Sequence, residues 1–240
     1  MTGVQPITDV AAILDARDAG RARSATARAV LLAGLAGEDA LDLPVGVRDS
    51  RLIALRQQWF GTGVESLAEC EACEETIEVG FDVRDIRAPF ANAGALVGVE
   101  AEGRRWSARV PTSRDLLAAD SLRSTDDARA RLLERCLVKP AAAPGEAAAS
   151  AIADALSACD AQADVLLDVA CPACGTRAAL PFDIAGHLWT ELDRWADALL
   201  DDVHALASAY GWSERDILRL PAARRIAYLE RVGQGPGQPL

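Results

Sequence analysis

The chain has 240 residues, half of them hydrophobic, enough for one large or two small domains with a real core. Acidic residues outnumber basic ones 36 to 25, and the net charge of −11 argues against nucleic acid or an anionic membrane as partner. The sequence has no charged-then-apolar leader and no apolar run of about 18 residues, so a cytoplasmic protein with reduced thiols is expected, in which paired cysteines serve a metal rather than a disulfide.

Taken in order, the chain predicts a mainly helical α+β protein. Residues 1–7 are expected to be loose. Thr8 is placed to cap a helix through about Ala19, with Val10, Ile13 and Leu14 inward. A second helix spans Ser24 to Leu35, with Val30, Leu31 and Leu35 as its apolar side. Leu43-Pro44-Val45-Gly46-Val47-Arg48-Asp49 breaks and restarts the chain. A third helix then runs to about Phe60 with Leu52, Ile53, Leu55, Trp59 and Phe60 on a broad apolar face, and Gly61-Thr62-Gly63 stops it.

The next stretch occurs twice. Cys70-Glu71-Ala72-Cys73 is followed by seven residues and then Phe81-Asp82-Val83; Cys171-Pro172-Ala173-Cys174 is followed by seven and then Phe182-Asp183-Ile184. Every matched position is offset by 101 residues. Ile77, Val79, Phe81 and Val83 alternate with polar or small residues, as do Ala178, Leu180, Phe182 and Ile184, a period-two signal for half-buried strands. Each copy reads as strand, C-x-x-C knuckle and returning strand, half of a zinc ribbon. Cys70, Cys73, Cys171 and Cys174 would supply the four thiolates of a closed tetrahedral zinc site, although paired knuckles usually lie only about 15–20 residues apart. The first copy has Glu74 where the second has Gly175, and Glu71, Glu74 and Glu75 set negative charge beside its thiols. Cys136 and Cys159 fall at apolar helical spacings and read as plain core residues.

After Val83 the chain is irregular through Gly94. Val97–Ala101, a Glu102-Gly103 turn and Arg105–Val110 form a hairpin. Pro111-Thr112-Ser113-Arg114-Asp115 opens a short helix, and Asp126–Val138 forms another capped by Thr125 or Asp126. A helix to Cys159 precedes the second cysteine hairpin. From Asp183 a long helix runs to about Ala209, with Ile184, Leu188, Leu192, Trp195, Leu199, Val203, Leu206 and Tyr210 along one seam. Gly211 stops it, Ser213-x-x-Asp216 caps a short helix, and Pro221 opens a last one carrying Arg224, Arg225, Tyr228 and Leu229. Trp189, off the seam, and Trp212, in a turn, are expected to stay partly exposed and, with Arg224 and Arg225, to form a partner-binding surface.

By composition the chain divides into 1–63, a helical N-terminal segment; 64–138, the first cysteine hairpin, a second hairpin and helices; 139–149, a linker; 150–232, the second cysteine hairpin and C-terminal helices; and 233–240, a disordered tail. The hairpins at 64–83 and 165–184 are expected to pair into one domain. No phosphate loop, G-x-S-x-G or H-E-x-x-H motif occurs, and His187 and His204 lie 17 residues apart on one helix, so no enzyme is expected. The alternative is a zinc-ribbon nucleic-acid-binding or regulatory protein. Its helix–turn–helix version at Tyr210–Val232 meets Asp201, Asp202, Glu214, Asp216 and Glu230 in the same region.

Several stretches together resemble a family. These are Leu43 to Leu52, the first cysteine hairpin, Val110 to Leu117, Asp160-Ala161-Gln162-Ala163-Asp164 and, above all, Phe182 to Val232. Within the last, Leu188-Trp189, Leu199 to His204, Tyr210-Gly211-Trp212-Ser213 and Arg224 to Leu229 are the most specific. In these the chain is similar, over nearly its whole length, to the T4-type baseplate hub assembly chaperones of contractile phage tails and contractile injection systems. The resemblance implies a non-enzymatic role, with baseplate or hub proteins of a contractile tail-like particle as partners.

Overall fold

A computed structural model of the chain describes residues 10–35, 39–139 and 142–233. Over the described residues it is a mixed α+β structure with helix outweighing strand, 54% to 19%, and a long C-terminal helix. The order is α1 (Val10–Gly20), α2 (Ala25–Leu35), α3 (Val45–Phe60), β1 (Gly63–Glu69), β2 (Thr76–Asp82), β3 (Leu96–Ala101), β4 (Arg104–Arg109), α4 (Ser113–Ala119), α5 (Thr125–Cys136), β5 (Leu137–Lys139), α6 (Glu146–Cys159), a 3-10 turn (Ala161–Ala163), β6 (Leu166–Ala170), β7 (Arg177–Pro181), α7 (Ile184–Tyr210), α8 (Glu214–Leu218) and α9 (Ala222–Gly233). The strands form three antiparallel sheets, β1-β2, β3-β4-β5 and β6-β7. Among the described residues, no helix is long and apolar enough to cross a membrane. The chain divides into two compact units, Arg23–Leu188 and, drawn from both ends, residues 10–22 with 189–233.

In the larger unit, the three-stranded sheet packs on α6 around Trp106, Ala108, Ala148 and Ile152. The Trp106 indole N–H donates to the Ala101 carbonyl at 3.1 Å, so the largest core side chain is also satisfied in polar terms. Glu102 and Gly103 both take positive φ, giving the hairpin turn, and the Glu102 carboxylate accepts from the backbone N–H groups of Gly145 and Ala148. It thus serves the N-terminus of α6, where free N–H groups and the helix dipole favour an anion. This shortens the expected linker: Lys139 ends β5, Gly145 is the N-cap of α6, and 140–141 lie outside the described residues. The helix expected to reach Val138 stops at Cys136, because Leu137 turns extended and its segment pairs with β4. Its cap is Ser124, not Thr125 or Asp126: the Ser124 hydroxyl accepts from the Asp127 N–H at 3.3 Å. The apolar side of α2 is also shifted, since Ala29, Leu32 and Ala33 are buried while Val30, Leu31 and Leu35 are half-exposed. The small alanines let α2 lie close to α3.

Two buried carboxylates join distant parts of this unit. Asp160, only 2% exposed, accepts from the N–H groups of Gly46 and Ala91, both at 2.9 Å. Gly46 lies in the first turn of α3, so the charge sits where the helix dipole favours it. A Cβ at Gly46 would lie 2.2 Å from a carboxylate oxygen, so no larger residue fits without displacing Asp160. Gln162 completes the joint: its amide oxygen accepts from the Ala88 N–H at 2.8 Å, and its backbone N–H donates to the Pro89 carbonyl at 3.0 Å. The irregular segment after β2 is thereby held on the 3-10 turn. Asp115, 1% exposed, is the second joint. It closes a capping box with Thr112 and accepts from the Arg109 guanidinium at 2.6 and 2.9 Å and from Arg135 at 2.9 Å. Burial pushes its carboxyl up, but Arg109 and the Thr112 donors outweigh that and hold it below the usual carboxylate range.

The smaller unit is clamped by Arg17. Its guanidinium, 2% exposed, pairs with Asp193 at 2.6 Å and with Asp197, one turn apart on α7, above a core of Leu14, Ala196 and Leu199. At the other end, Leu206 and Ile217 are covered by Trp212, Tyr228 and Leu229. Val10, Ile13 and Leu14 lie inward in α1 as expected, except that Val10 is only half-buried; Thr8, and the tail beyond Gly233, lie outside the described residues.

Asp49 gives this fold a pH signature. Burial raises its carboxyl to about 6, with Arg48, 2.7 Å away, opposing the shift and Asp183 and Asp160 adding to it. An unfolded Asp titrates near 3.9, so between about pH 4 and pH 6 the folded state keeps a proton that the unfolded state has lost. The stability from this group is complete below about pH 4 and lost as pH rises through about 6. Urea unfolding should therefore find Asp49→Asn gaining on the parent by on the order of 2 kcal/mol between pH 4 and pH 7. A constant difference would place the Asp49 titration at its unfolded value.

Candidate metal centre

Two hairpins carry the cysteines. In the first, Glu65↔Gly80, Ser66↔Val79, Leu67↔Glu78, Ala68↔Ile77 and Glu69↔Thr76 are paired; in the second, Leu166↔Pro181, Leu167↔Leu180, Asp168↔Ala179, Val169↔Ala178 and Ala170↔Arg177. Every pair of the second is a pair of the first advanced by 101 residues, so the sequence repeat is a repeat of register. The knuckles repeat as well. The Cys70 N–H donates to the Glu75 carbonyl and the Glu74 N–H to the Cys70 carbonyl, at 2.9 and 2.8 Å; Cys171, Thr176 and Gly175 reproduce both bonds at 2.8 and 2.9 Å. Glu74 takes φ 60° and Gly175 φ 75°. The first knuckle thus keeps the left-handed turn with a side chain that makes it cost about 1–2 kcal/mol.

The fold brings all four predicted ligands together. Their Sγ atoms lie within 4.8 Å of one another, and Cys70–Cys174 and Cys73–Cys171 are each 3.7 Å apart. Exchanging the two copies turns one of these contacts into the other, so the cluster has an approximate two-fold axis. Phe81 and Phe182, equivalent in the repeat, meet edge to face with ring centroids 5.0 Å apart. Beneath the sulfurs, Cys70 and Cys171 are buried with Ile77, Val79 and Val169, while Cys73 and Cys174 face outward.

This geometry fits an ion. Four bonds of 2.3 Å at tetrahedral angles set sulfurs about 3.8 Å apart. Two contacts already have that spacing, and the others need only small side-chain rotations. All four cysteines are free thiols. Without an ion they are unequal. The Thr176 hydroxyl, 3.3 Å from the Cys174 sulfur, and the Thr176 backbone N–H lower Cys174 to about 6. The Glu75 backbone N–H favours a Cys73 thiolate too, but hydrogen bonding with Cys174, then desolvation, and more weakly hydrogen bonding with Cys70 and Cys171, push Cys73 up to about 12. Of the two outward-facing thiols Cys174 is therefore the readier to ionise, and metal binding would release protons from the site. Thr176 went unnoticed in the sequence; the repeat could have revealed it, since the matching residue is Glu75, without a hydroxyl.

The residues expected to bind a partner are not brought together. Trp189 is 7% exposed, which corrects the expectation of a partly exposed ring. The buried stripe of α7 is wider than its leucine seam and includes Ala196, also buried. Seven residues is nearly two turns, so Trp189 lies only about 20° around the helix from Ala196. Trp212 is half-buried, stacked on Tyr210 at 4.7 Å and edge-on to Tyr228 at 4.9 Å. Arg225 pairs with Asp202 at 3.2 Å, while Arg224 is exposed. Trp189 is about 30 Å along α7 from its C-terminal end, so the two tryptophans do not form one patch. His187 tilts against Phe182 at 5.5 Å, and neither histidine belongs to the thiol cluster.

The ion should support the fold. Chelation, or Cys171→Ser with Cys174→Ser, is expected to lower the melting temperature by several degrees and speed proteolysis of both hairpins; equal stability with and without chelator would show that the hairpins hold without metal. No known protein family, curated protein or solved structure matches the chain.

Proposed function

We propose that the chain is a non-enzymatic assembly factor or structural component for the baseplate or hub of a contractile phage tail or tail-like injection system, acting by protein–protein binding on a zinc-stabilised platform. The observation that carries this reading is the four-cysteine cluster. Zinc is the ion that four thiolates at this spacing favour, and a set of four protein ligands leaves no open position for a substrate. Such an ion holds hairpins in place rather than activating water. The pairing of two zinc-ribbon halves across about 100 residues supports a platform in which the intervening sheet and helices are an insertion.

The resemblance supplies the biological setting, and the packing supports treating its stretches as one framework. Pro44 bridges to Thr112, the Val45 N–H donates to the Pro111 carbonyl at 3.1 Å, and Asp160 seats on Gly46. Leu43 to Leu52, Val110 to Leu117 and Asp160 to Asp164 therefore converge on one joint. Nucleic acid fits poorly as a partner: Glu69, Glu71, Glu74, Glu75 and Glu78 surround the first knuckle, where phosphate binding would need basic groups.

Elemental analysis of the chain purified without chelator should find about one zinc per chain. Co-expression of the tagged chain with tail-tube, spike, hub and baseplate subunits encoded beside it should retain a hub or baseplate subunit through purification. Retention of none of them, or tight salt-sensitive binding to duplex DNA in a gel-shift titration, would overturn the reading.

A further inference from the structure

Between the two cysteine hairpins runs an open groove of about 690 Å³, walled by β2 on one side and β6 on the other, and continuing to residues 85–88 and 161–165. Among the described residues β2 pairs only with β1, and β6 only with β7, so both walls are strand edges. The register shows which groups are free. The Cys70 N–H bonds to the Glu75 carbonyl and the Val83 N–H to the Thr62 carbonyl. Hydrogen-bonded pairs alternate in an antiparallel ladder, so Ile77, Val79 and Phe81 are spent on β1, while Glu78 and Gly80 turn their N–H and C=O groups outward. In the second hairpin the Cys171–Thr176 and Phe182–Val165 bonds set the same alternation, leaving Leu166, Asp168 and Ala170 outward on β6. Neither edge carries the proline, lysine or bulge that usually blocks strand addition.

Side chains complete the picture. Val79, Phe81, Leu167 and Val169 give the groove an apolar lining, and Leu166 at its mouth is 56% exposed. Its charged groups are Glu78, Asp85, Asp164 and Asp168 against the single Arg87, whose guanidinium donates to Gln57 at 3.2 Å. We propose that this groove binds an extended segment of a partner protein, with basic and apolar side chains in alternation, as a strand added to the free edges of β2 and β6. Main-chain bonds would supply affinity, and the apolar lining and acidic rim would supply specificity. Pairing with the same two edges of a second copy is disfavoured, since β2 carries Glu78 and β6 carries Asp168. The chain's terminal residues 1–9 and 234–240 contain no lysine or arginine, so they lack the matching chemistry. β6 spans five residues, about 17 Å, which sets the length of the inserted segment at five or six residues. The inference rests on the assembly reading for its partner class and adds the surface and the sequence chemistry of the bound segment.

The test titrates the full, metal-loaded chain with a labelled hexapeptide, Lys-Val three times over, against its Glu-Val counterpart, by fluorescence anisotropy. The Lys-Val peptide should bind at least tenfold tighter, and amide exchange at Gly80, Asp168 and Ala170 should slow when it is added. Glu78→Lys with Asp168→Lys should weaken binding at least tenfold with metal content retained. Because Asp168 also pairs with Arg177, Gly80→Pro serves as a second variant; it removes an outward N–H without breaking a ladder bond, and should weaken binding similarly. Equal affinity for the two peptides, no binding of either at millimolar concentration, or unchanged amide exchange would overturn the groove assignment. A chain that rejects the peptide yet retains a hub subunit loses only the groove; one that binds the peptide but retains no tail subunit loses only the assembly reading.

Discussion

Four sulfur atoms meet where the two hairpins face each other, and the rest of the larger unit is arranged so that they can. Each hairpin is a two-stranded sheet, which in water is marginal at best by itself. Together they share a thin apolar layer of Ile77, Val79, Val169 and the Phe81–Phe182 pair. That layer is small beside the core around Trp106, and a metal–thiolate centre would supply the stabilisation that apolar area does not. The wide separation of the knuckles is little obstacle. Loop-closure cost grows only with the logarithm of length, so moving from a 20-residue to a 100-residue spacing adds about 1–2 kcal/mol. The inserted segment also folds on itself, as β3-β4-β5 against α6, and hands the chain back near where it left.

That return depends on buried charge. Asp160 follows α6 directly and binds the first turn of α3 and the backbone at Ala91 at once. A neutral residue could not occupy this position equally well, because the helix N-terminus and two converging N–H groups make a site for an anion. Asp115 works alike between β4, α4 and α5, with two guanidiniums as partners, and Arg17 does so between α1 and α7 with the signs reversed. Removing one partner from such a set leaves an uncompensated buried charge, which typically destabilises more than the intact set stabilises. These positions therefore specify geometry more than they add stability.

The same structure separates platform from contact surface. Aromatic side chains that looked available in the sequence are mostly engaged: Trp189 in the buried stripe of α7, and Trp212 in a stack with Tyr210 and Tyr228. The larger unit leaves backbone open along the edges of β2 and β6, in an acidic setting. Such an edge suits an extended segment of another chain, which it can pair through main-chain bonds.

Local pattern by itself determined much of this protein. The helices, the Glu102-Gly103 hairpin, the Ser213 N-cap and the cysteine strands were legible because each is set by periodicity or by a turn residue within about ten positions. The meeting of the four cysteines was legible for another reason: a repeat carries its own register, and two knuckles at a fixed offset imply each other. Tertiary structure alone decided what depends on distant neighbours. Leu137–Lys139 became strand because β4 offered an edge, although its local pattern continued a helix. Trp189 was buried because the buried side of α7 extends beyond the leucine seam to include it, a property of the whole helix and not of one position. Asp49, Asp115 and Asp160 read as ordinary surface acids in a chain with 36 acidic residues, since no local pattern tells which carboxylate will be buried or will meet a helix terminus as far as 114 residues away. Desolvation and charge pairing act through space, and only the fold brings those groups within reach of each other.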